Sequence, residues 1–531
     1  MTTGHCSEQC RIWTEEKENM QRKRKYEGFP AKITALCLAL GLACSVSGCG
    51  ENYIDRAMDE KSLVIAVDAD VDTLHPSDYS TTVESNILEQ IYDPLLAVSS
   101  DGLGDPEPRI AESYEVSEDG MTYTFHIRHG VLFHDGTPVT AEDVVFSLEM
   151  YQESEYQGSQ VDGLDYAEAT DEYTVVCHMS YPYSPFLTGI GRVHIASKDY
   201  WEESPEKFST DPVGSGPYQY AGRNKGSSIT LEAFEDYYRG EAEIQTVEFE
   251  VIPDQTTKSI AIQTGEVNFT SIESSSILAL KGSDRIDIEE VATSGFTYVC
   301  MNLEKEPFTD ERVRQAVNYA IDRENLVNVC YDGEAEVNSN ICSKSRFGYS
   351  DDQKQYDYDP ERAEELLAEA GIETPYDLGT MLVAEKYSNI ATVVQNDLKE
   401  VGLEVDIEVK EFNAYLDDLT QGNYTITALN LTLEGDTQMC SMALTTDYIG
   451  TANNARYSDP EIDALFQQAG QTNDTKEREA LYNEIFSKVQ EEAVYGVICN
   501  PYLLYAHNSE LSCGEIPFEG FYQIYDFSWE A

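Results

Sequence analysis

Basic residues are scarce in this sequence. Its 531 residues include 35 Lys and Arg against 98 Asp and Glu, which gives a formal net charge of −63. Such a chain repels nucleic-acid phosphates and anionic lipid headgroups, so the charge argues against nucleic-acid binding and against attachment to a membrane by charge. It suits an exposed, soluble protein, and it leaves open an electrostatic preference for cationic solutes.

Motifs of common enzymes are also missing. No G-x-S-x-G or H-E-x-x-H pattern occurs, and the G-x-G from Gly214 to Gly216 lacks the Lys-Ser/Thr of a phosphate loop. His126, His129 and His134 are close in sequence, but the first two fall on opposite faces of a predicted strand, which disfavours a metal site. We therefore expect no metal and no cofactor. A surface hydrolase with paired carboxylates remains an alternative without a motif.

The N-terminal region carries an export signal. A basic segment, QRKRKYEGFPAK, precedes the apolar run ITALCLALGLACSVS and Gly48-Cys49, and an apolar run of roughly 15 residues is too short for a comfortable bilayer span. Val46 to Cys49 resembles a bacterial lipobox, which implies cleavage before Cys49 and lipid on its sulfur. We predict an N-terminal extension and lipoprotein signal at 1–48, a polar tether at 49–61, and an extracytoplasmic protein anchored to the cell membrane. A plain secretory signal or an uncleaved anchor is the alternative, and Met20 competes with Met1 as the initiator.

Cysteine does not form an obvious framework. Beyond Cys49 the chain holds seven cysteines and no C-x-x-C pair, which argues against a zinc site and a full disulfide scaffold. We expect most of them to be small buried hydrophobes. A local bridge between Cys330 and Cys342, or between Cys499 and Cys513, stays open.

The most informative stretch is 111–149, AESYEVSEDGMTYTFHIRHGVLFHDGTPVTAEDVVFSLE. Tyr123, Phe125 and Ile127 alternate with polar residues, which predicts a strand with one face in a core. A turn follows, and Thr140 with Asp143 three residues on predicts the N-terminus of a helix. The stretch is therefore a turn, strand, turn and helix.

This string resembles the signature of the extracytoplasmic solute-binding proteins of family 5, the oligopeptide, dipeptide and nickel-binding receptors of ABC importers. DPVGSGPY at 211–218 and RQAVNYAIDR at 314–323 are similar to two further elements of that family. The resemblance implies an α/β, two-lobe periplasmic-binding-protein-like fold of type II, in the large peptide-binding subclass, with a hinge and a ligand cleft between the lobes.

The resemblance also implies a domain order. We predict lobe I at 62–292, with an inserted subdomain at roughly 85–210. Lobe II is predicted at 293–499, and 500–531 is predicted to return to lobe I, so that two crossings form a hinge.

The implied function is capture of short peptides between the lobes and delivery to the permease and ATPase subunits of an ABC importer, by a monomer that meets the membrane only through its lipid. A non-peptide solute, such as a nickel chelate or a cationic or amphipathic small molecule, is an alternative within the same class. A sensory surface lipoprotein is an alternative of another class. Thirty-five tyrosines suit solute binding, because each offers an apolar face and one hydroxyl.

Candidate ligand residues follow from the same alignment of motifs. Tyr79, Ser80 and Thr81 lie where the family's chain enters the cleft, before a helix predicted at Ser85 to Ile91. Tyr298 and Tyr502 lie on the segments that resemble the crossings. An ordinary solvated loop is the competing interpretation for the first three.

The substrate anchor is less clear. In peptide-binding members an aspartate after a tryptophan-containing strand end holds the ligand's α-amino group by a charge-assisted hydrogen bond. The corresponding segment, ALNLTLEGDT at 428–437, has neither the tryptophan nor the D-P pair. Glu434 and Asp436 are the candidates for that role, and both could equally be solvated loop carboxylates.

Overall fold

The computed structural model describes residues 61–97, 106–344, 346–433, 435–517 and 520–530. The predicted leader, the tether and the lipidation site at Cys49 lie outside the described residues. Within those ranges no helix combines the length and the apolar character needed to cross a membrane.

The strands of the first part of the chain are β1 (Ser62–Val67), β2 (Leu96–Ala97), β3 (Glu107–Pro108), β4 (Ala111–Val116), β5 (Thr122–Ile127), β6 (Leu164–Asp171), β7 (Thr174–Met179), β8 (Tyr218–Asn224), β9 (Ser228–Ala233), β10 (Thr246–Val251), β11 (Phe269–Ile272) and β12 (Ile286–Val291). Those of the second part are β13 (Phe296–Met301), β14 (Ala335–Val337), β15 (Tyr376–Ala384), β16 (Leu403–Lys410), β17 (Ile426–Leu431), β18 (Tyr495–Pro501), β19 (Leu503–Asn508), β20 (Leu511–Ser512) and β21 (Ser528–Trp529).

The α-helices are α1 (Thr82–Ile91), α2 (Ala141–Glu153), α3 (Phe186–Ile190), α4 (Lys198–Glu203), α5 (Gln255–Thr264), α6 (Ile277–Leu280), α7 (Glu311–Ala320), α8 (Arg323–Cys330), α9 (Pro360–Glu369), α10 (Ser388–Glu400), α11 (Phe412–Gln421), α12 (Ser441–Leu444), α13 (Pro460–Gln471) and α14 (Thr475–Glu491). Helix α1 begins three residues before the predicted start, because Thr81 caps it through a capping box with Glu84.

A seven-stranded sheet forms the core of the first lobe, in the order β12-β19-β11-β1-β10-β9-β8. Strand β1 is parallel to both of its neighbours. Its side chains alternate between two apolar clusters, with Leu63 and Ile65 in one and Val64 and Ala66 in the other. A continuous apolar run is what a strand covered on both faces requires.

A four-stranded antiparallel sheet, β4-β5-β7-β6, lies between β1 and β8 in the chain. Tyr123, Phe125 and Ile127 are buried in its core, as the alternation in the sequence predicted. The N–H and the hydroxyl of Thr140 both donate to the Asp143 carboxylate, at 2.9 and 2.8 Å, and helix α2 begins at the next residue. The prediction of a turn, strand, turn and helix is confirmed.

His134 and two glycines join this insertion to helix α1. A Cβ on Gly214 would lie 2.0 Å from the Ile91 carbonyl oxygen, and one on Gly216 would lie 2.6 Å from that of Gln90. The lack of a side chain at both positions therefore allows this close approach between backbones. His134 accepts from the Gly214 N–H at Nδ1 and donates from Nε2 to the Gly216 carbonyl, at 3.2 and 3.1 Å. Burial lowers its pKa to about 4, so the imidazole is neutral and structural.

A six-stranded sheet, β14-β18-β13-β17-β15-β16, forms the core of the second lobe. Arg323 lies beneath it, 4% exposed, and its guanidinium donates to the carbonyl oxygens of Val497, Asn318 and Tyr356 at 2.7 to 2.9 Å. Burial lowers its pKa to about 10. The second signature thus supplies a cation that ties a helix end, a loop and β18 together.

The chain crosses between the two large sheets twice. It leaves the first sheet after β12 and enters the second at β13, and it returns between β18 and β19. Two crossings joining two sheets make the two-lobe α/β fold that was predicted. The exact domain bounds stay a prediction, and the assignment of the strands to the two large sheets supports it.

The cysteines after Cys49 are all unbridged, so neither of the two local disulfides is present in the structure. Six of the seven are buried and Cys330 is half-buried.

Candidate functional site

A polar cavity of about 180 Å³ lies between the lobes. Its walls come from the start of α1, from the four-stranded insertion, from the second lobe and from the C-terminal segment. The lining residues are Tyr79, Ser80, Thr81, Thr82, Ser85, Gln157, Ser159, Gln160, Tyr183, Pro185, Thr188, Gly189, Arg192, Gly435, Asp436, Met439 and Phe521. Four of the predicted ligand residues, Tyr79, Ser80, Thr81 and Asp436, thus line one cavity.

The first-lobe wall is organised by Glu84, which the sequence analysis overlooked. The side chain of this residue, only 2% exposed, accepts from the backbone N–H groups of Asp72, Thr73, Ser80 and Thr81 at 3.0 to 3.2 Å. Burial alone would raise the pKa of Glu84, but the hydrogen bonds outweigh burial and hold it below its ordinary value. One carboxylate therefore fixes the loop that presents the hydroxyls to the cavity.

The insertion braces the same loop from the other side. Gln157 donates from Nε2 to the Tyr79 carbonyl at 3.1 Å, and Ser154 donates to the Ser77 carbonyl at 2.7 Å. Across the cavity, the Arg192 guanidinium lies 4.6 Å from the centre of the Phe521 ring. These contacts make the first-lobe wall a preformed surface with donors, acceptors and one aromatic face.

The second-lobe wall centres on Asp436. Its carboxylate forms an ion pair with Arg478 of α14, and both side chains are largely buried, at 12% and 13% exposure. The Gln438 N–H donates to Oδ1 at 2.8 Å, and the Thr188 hydroxyl of the insertion donates to Oδ2 at 3.3 Å. Asp436 is thus a held carboxylate rather than a solvated loop residue.

Charges at this cavity have internal partners. Burial opposes the charged form of Arg478, but Asp436 and Tyr482 outweigh burial and hold the pKa of Arg478 above its ordinary value. Behind Arg192, burial would raise the pKa of Glu89, but the imidazole of His194, 3.5 Å away, and the charge of Arg192 keep it below the usual range. The cavity therefore does not share the strongly negative sign of the chain as a whole.

A second cavity, of about 270 Å³, adjoins the first at Thr82, which lines both. Its other lining residues are Thr293, Ser294, Gly295, Phe296, Asn430, Thr432, Pro501, Tyr502, Leu503 and Tyr505. It lies at the two crossings, and Tyr502 borders it where the chain returns from β18 to β19.

The end of β17 borders the second cavity. Strand β15 pairs with it only at Ile426 and Thr427, and in the described ranges no strand covers that edge from Ala428 onward. Asn430 and Thr432 at this end are exposed. An open strand edge beside a cavity can pair with the backbone of an extended chain.

Two of the predicted site residues are not placed at the cavities. Tyr298 has no exposed surface, lies outside both sets of lining residues and receives a hydrogen bond from Asn454 at 3.3 Å. We correct its assignment to a core residue, since its side chain packs against Phe296 and Tyr495. Glu434 lies outside the described residues.

Sequence reasoning missed the contribution of the insertion and of Arg478. A signal was available for Glu84 alone: it follows Thr81 by three residues, which is a capping box pattern. Gln157, Thr188, Arg192 and Arg478 belong to no motif, so no pattern could have identified them.

Direct hydrogen bonds hold the lobes together beside the first cavity. The N–H of Ser184 donates to the Gly470 carbonyl at 2.7 Å, and its hydroxyl lies 3.3 Å from the Ala469 carbonyl and 3.2 Å from that of Gly470. Both carbonyls belong to the last turn of α13, where carbonyls lack the usual donor four residues further along the helix; that of Ala469 also accepts from the Thr472 N–H at 3.3 Å. Ser184 thus caps a second-lobe helix from the first lobe.

In the part of the chain that the structure describes, no group of three or more His, Cys, Asp or Glu residues is arranged to hold a metal ion.

The two lobes, two crossings and interlobe cavities define a two-lobe solute-binding protein. The family model described as "Bacterial extracellular solute-binding proteins, family 5 Middle" matches residues 105–453. The chain belongs to this family and is therefore an extracytoplasmic substrate-binding receptor of the kind that serves ABC importers. The curated relatives carry the names of solute-binding proteins.

Individual relatives differ in what their names say they bind. The chain is 29% identical to the dipeptide-binding protein of Escherichia coli (strain K12) over 439 residues, which cover 76% of this chain and 81% of that protein. It is 28% identical to heme-binding protein A of Haemophilus influenzae over 441 residues, 76% of this chain and 80% of the relative.

Solved structures agree on the fold. The periplasmic binding protein DppA of Helicobacter pylori, in complex with the peptide STSA, matches with a TM-score of 0.69 and 27% identity, covering 88% of this chain and 98% of that one. HbpA2 of Haemophilus parasuis matches with a TM-score of 0.82 at 24% identity, covering 88% and 100%, which supports the fold alone.

Proposed function

We propose that the protein is a lipid-anchored receptor that captures short peptides between its two lobes and delivers them to the permease and ATPase of an ABC importer. The observation that carries the proposal is the pair of adjoining interlobe cavities beside the open edge of β17. An extended peptide satisfies such an edge with main-chain hydrogen bonds, whatever its side chains. The dipeptide-binding relative and the peptide-bound structure of DppA support the same class of ligand.

The proposed ligand contacts are Tyr79, Ser80, Thr81 and Asp436 in the first cavity and Tyr502 in the second. Closure is ligand-dependent because only a solute that touches both lobes stabilises the closed state. Glu434 remains a predicted contact. The lipid anchor at Cys49 rests on the lipobox-like sequence, and a monomer is proposed from the family.

A non-peptide solute is the second candidate within the same receptor class. It is favoured by the internal pairing of Asp436 with Arg478, because Asp436 is the one carboxylate among the described lining residues of the two cavities that could receive a peptide's terminal amine. The name of the heme-binding relative shows that members of this family differ in ligand.

Native mass spectrometry of the soluble form that begins after Cys49, purified without refolding, tests the proposal. A series of bound masses that is released on mild unfolding and sequences as short peptides would support the peptide receptor. One small bound species would keep the receptor class and favour the non-peptide solute. An empty protein that gains no thermal stability with any peptide mixture would contradict the peptide assignment.

A further inference from the structure

Asp436 is the one carboxylate among the described residues that line the two cavities. It is the group that would attract a positively charged part of a ligand. What already binds it therefore bears on which ligands the receptor accepts.

Three protein donors bind this carboxylate. Oδ1 accepts from the Arg478 guanidinium and the Gln438 N–H, and Oδ2 accepts from Thr188 at 3.3 Å. The Tyr482 hydroxyl lies 3.5 Å from Oδ1 but has a nearer acceptor in Gln438 Oε1, at 2.9 Å. An incoming ammonium would share Oδ2 with Thr188 and would meet a carboxylate whose charge a guanidinium already balances. A free ammonium therefore gains little here and still loses its hydration.

Arg478 is held in this position by its surroundings. It projects from α14, donates to the Tyr482 hydroxyl at 3.0 Å, and lies 5.9 Å from the centre of the Phe347 ring and 5.3 Å from that of Tyr482. These contacts do not involve a ligand, so the pair with Asp436 belongs to the protein itself. Asp436 lines the cavity and Arg478 is outside its lining, so the guanidinium balances the charge of the carboxylate from the protein side.

We propose that Arg478 is a specificity-determining residue: it closes Asp436 to ligand cations, so the receptor selects solutes that present an uncharged or anionic group at this end of the cavity. The inference rests on the proposed peptide-binding function and narrows its substrate class. A peptide with a free α-amino group gains no preference over the same peptide with that group blocked.

The test compares two ligand mixtures on the full-length protein in detergent, after bound ligand has been washed out with mild denaturant. One mixture contains random tetrapeptides with free amino termini, and the other contains the same peptides N-acetylated. Both are offered together, and native mass spectrometry reads the ratio of the two bound forms. The natural protein is expected to hold the free form at no advantage.

Arg478→Gln should create a preference of about tenfold for the free amine, because a charge-assisted hydrogen bond to Asp436 becomes available. The double variant Asp436→Asn/Arg478→Gln, which keeps neutral hydrogen-bonding groups at both positions, should lose that preference. A merely structural role for Arg478 would change both peptide forms equally, so the ratio separates the two roles.

Two results would overturn the inference while leaving the peptide receptor intact: a tenfold advantage of the free amine in the natural protein, or no new preference in Arg478→Gln. The first result is measured on the natural protein, so it is available even if the variant does not fold. If neither mixture binds to the natural protein, the proposed peptide function itself fails, and this inference fails with it.

Discussion

The two walls of the first cavity are built in opposite ways. The first-lobe wall is a loop whose hydroxyls are held by Glu84, and that carboxylate binds backbone groups no more than 12 positions away. The second-lobe wall is held by Asp436, whose main partner, Arg478, lies 42 positions further along the chain in another helix. One wall is an extended helix cap and the other is a tertiary ion pair.

This difference explains what each wall needs in order to form. A capping interaction forms together with its helix, because the groups are neighbours in the chain. A buried ion pair forms only when two elements have docked, and its partners lose hydration before they meet. We therefore expect substitutions in the two walls to differ in their consequences and in their pH dependence.

Glu84→Gln should have the largest effect. An amide can accept on only one of its two polar atoms, so at least two backbone N–H groups lose their acceptor, and we expect a loss of about 3 kcal/mol of unfolding free energy. Thermal unfolding at pH 7 measures the change. The exposed Glu112 is the matched control, and Glu112→Gln should be nearly neutral.

The pH dependence of this variant has a defined sign. Because the pKa of Glu84 lies below its ordinary value in the folded protein, its contribution is present at neutral pH and is lost as the pH falls from about 4.5 through the folded pKa. The difference in unfolding free energy between the natural protein and Glu84→Gln should therefore narrow on acidification. A constant gap would show that the charge of Glu84 is not what holds the loop.

Asp436→Asn should have the second largest effect, a loss of about 3 kcal/mol or somewhat less of unfolding free energy. It leaves the largely buried Arg478 guanidinium without its counter-ion. The double variant with Arg478→Gln should recover most of the stability, since neither position then carries a charge. Urea unfolding of the natural protein, both single variants and the double variant gives the coupling free energy. Additive losses would mean that the two side chains act independently.

Asp397→Asn in helix α10 should stabilise the second lobe at high pH. Burial raises the pKa of Asp397 to about 7, and the charges of Asp322 and Glu400 add to this, while the hydrogen bond from the Asp322 N–H opposes it. The folded state thus favours the protonated acid, and stability declines as the pH rises from about 4 to 7. At pH 8 we expect Asp397→Asn to gain about 2 kcal/mol of unfolding free energy. This is half of ~4 kcal/mol, the upper bound for a pKa raised from 3.8 to about 7.

Thermal unfolding at pH 5 and pH 8 measures this difference. The advantage of Asp397→Asn should grow with pH, opposite to the trend for Glu84, so the two lobes would show pH dependences of opposite sign. If Asp397→Asn were more stable than the natural protein by the same amount at both pH values, the raised pKa of Asp397 in the folded protein would be contradicted.

Ser184→Ala should have the smallest effect. It removes the hydroxyl that lies 3.2 to 3.3 Å from the last carbonyls of α13 but leaves the backbone hydrogen bond to Gly470. Because this contact joins the two lobes, we expect ligand affinity to fall about threefold, which is a loss of roughly 0.6 kcal/mol of binding free energy. The free energy of unfolding should change little. Calorimetric titration measures the affinity, and an unchanged value would show that the hydroxyl does not stabilise closure.

Much of the fold was predictable because its signals are local. The alternation of Tyr123, Phe125 and Ile127 and the Thr140 cap each depend on a few consecutive residues. The fold class followed from resemblance across several such elements. Local signals can still be overlooked: the start of α1 was predicted three residues too far along the chain, although the capping box was present in the sequence.

The candidate site was predictable only in part. Tyr79, Ser80 and Thr81 follow the first strand closely, so their motif located them. Tyr298 is a core residue in the structure, because resemblance to a crossing segment locates the strand but does not tell which of its side chains reach the cleft when both faces of the sheet are covered.

By itself, the sequence determined the class of the protein, the order of its elements and the loop that forms one wall, because periodicity, caps and turns act between near neighbours in the chain. Only the tertiary structure decided that Asp436 is paired with Arg478, that the insertion supplies Thr188 and Gln157, and that Ser184 caps a helix of the other lobe. These contacts join residues far apart in sequence, and their energies depend on burial and distance, which exist only once the lobes have packed.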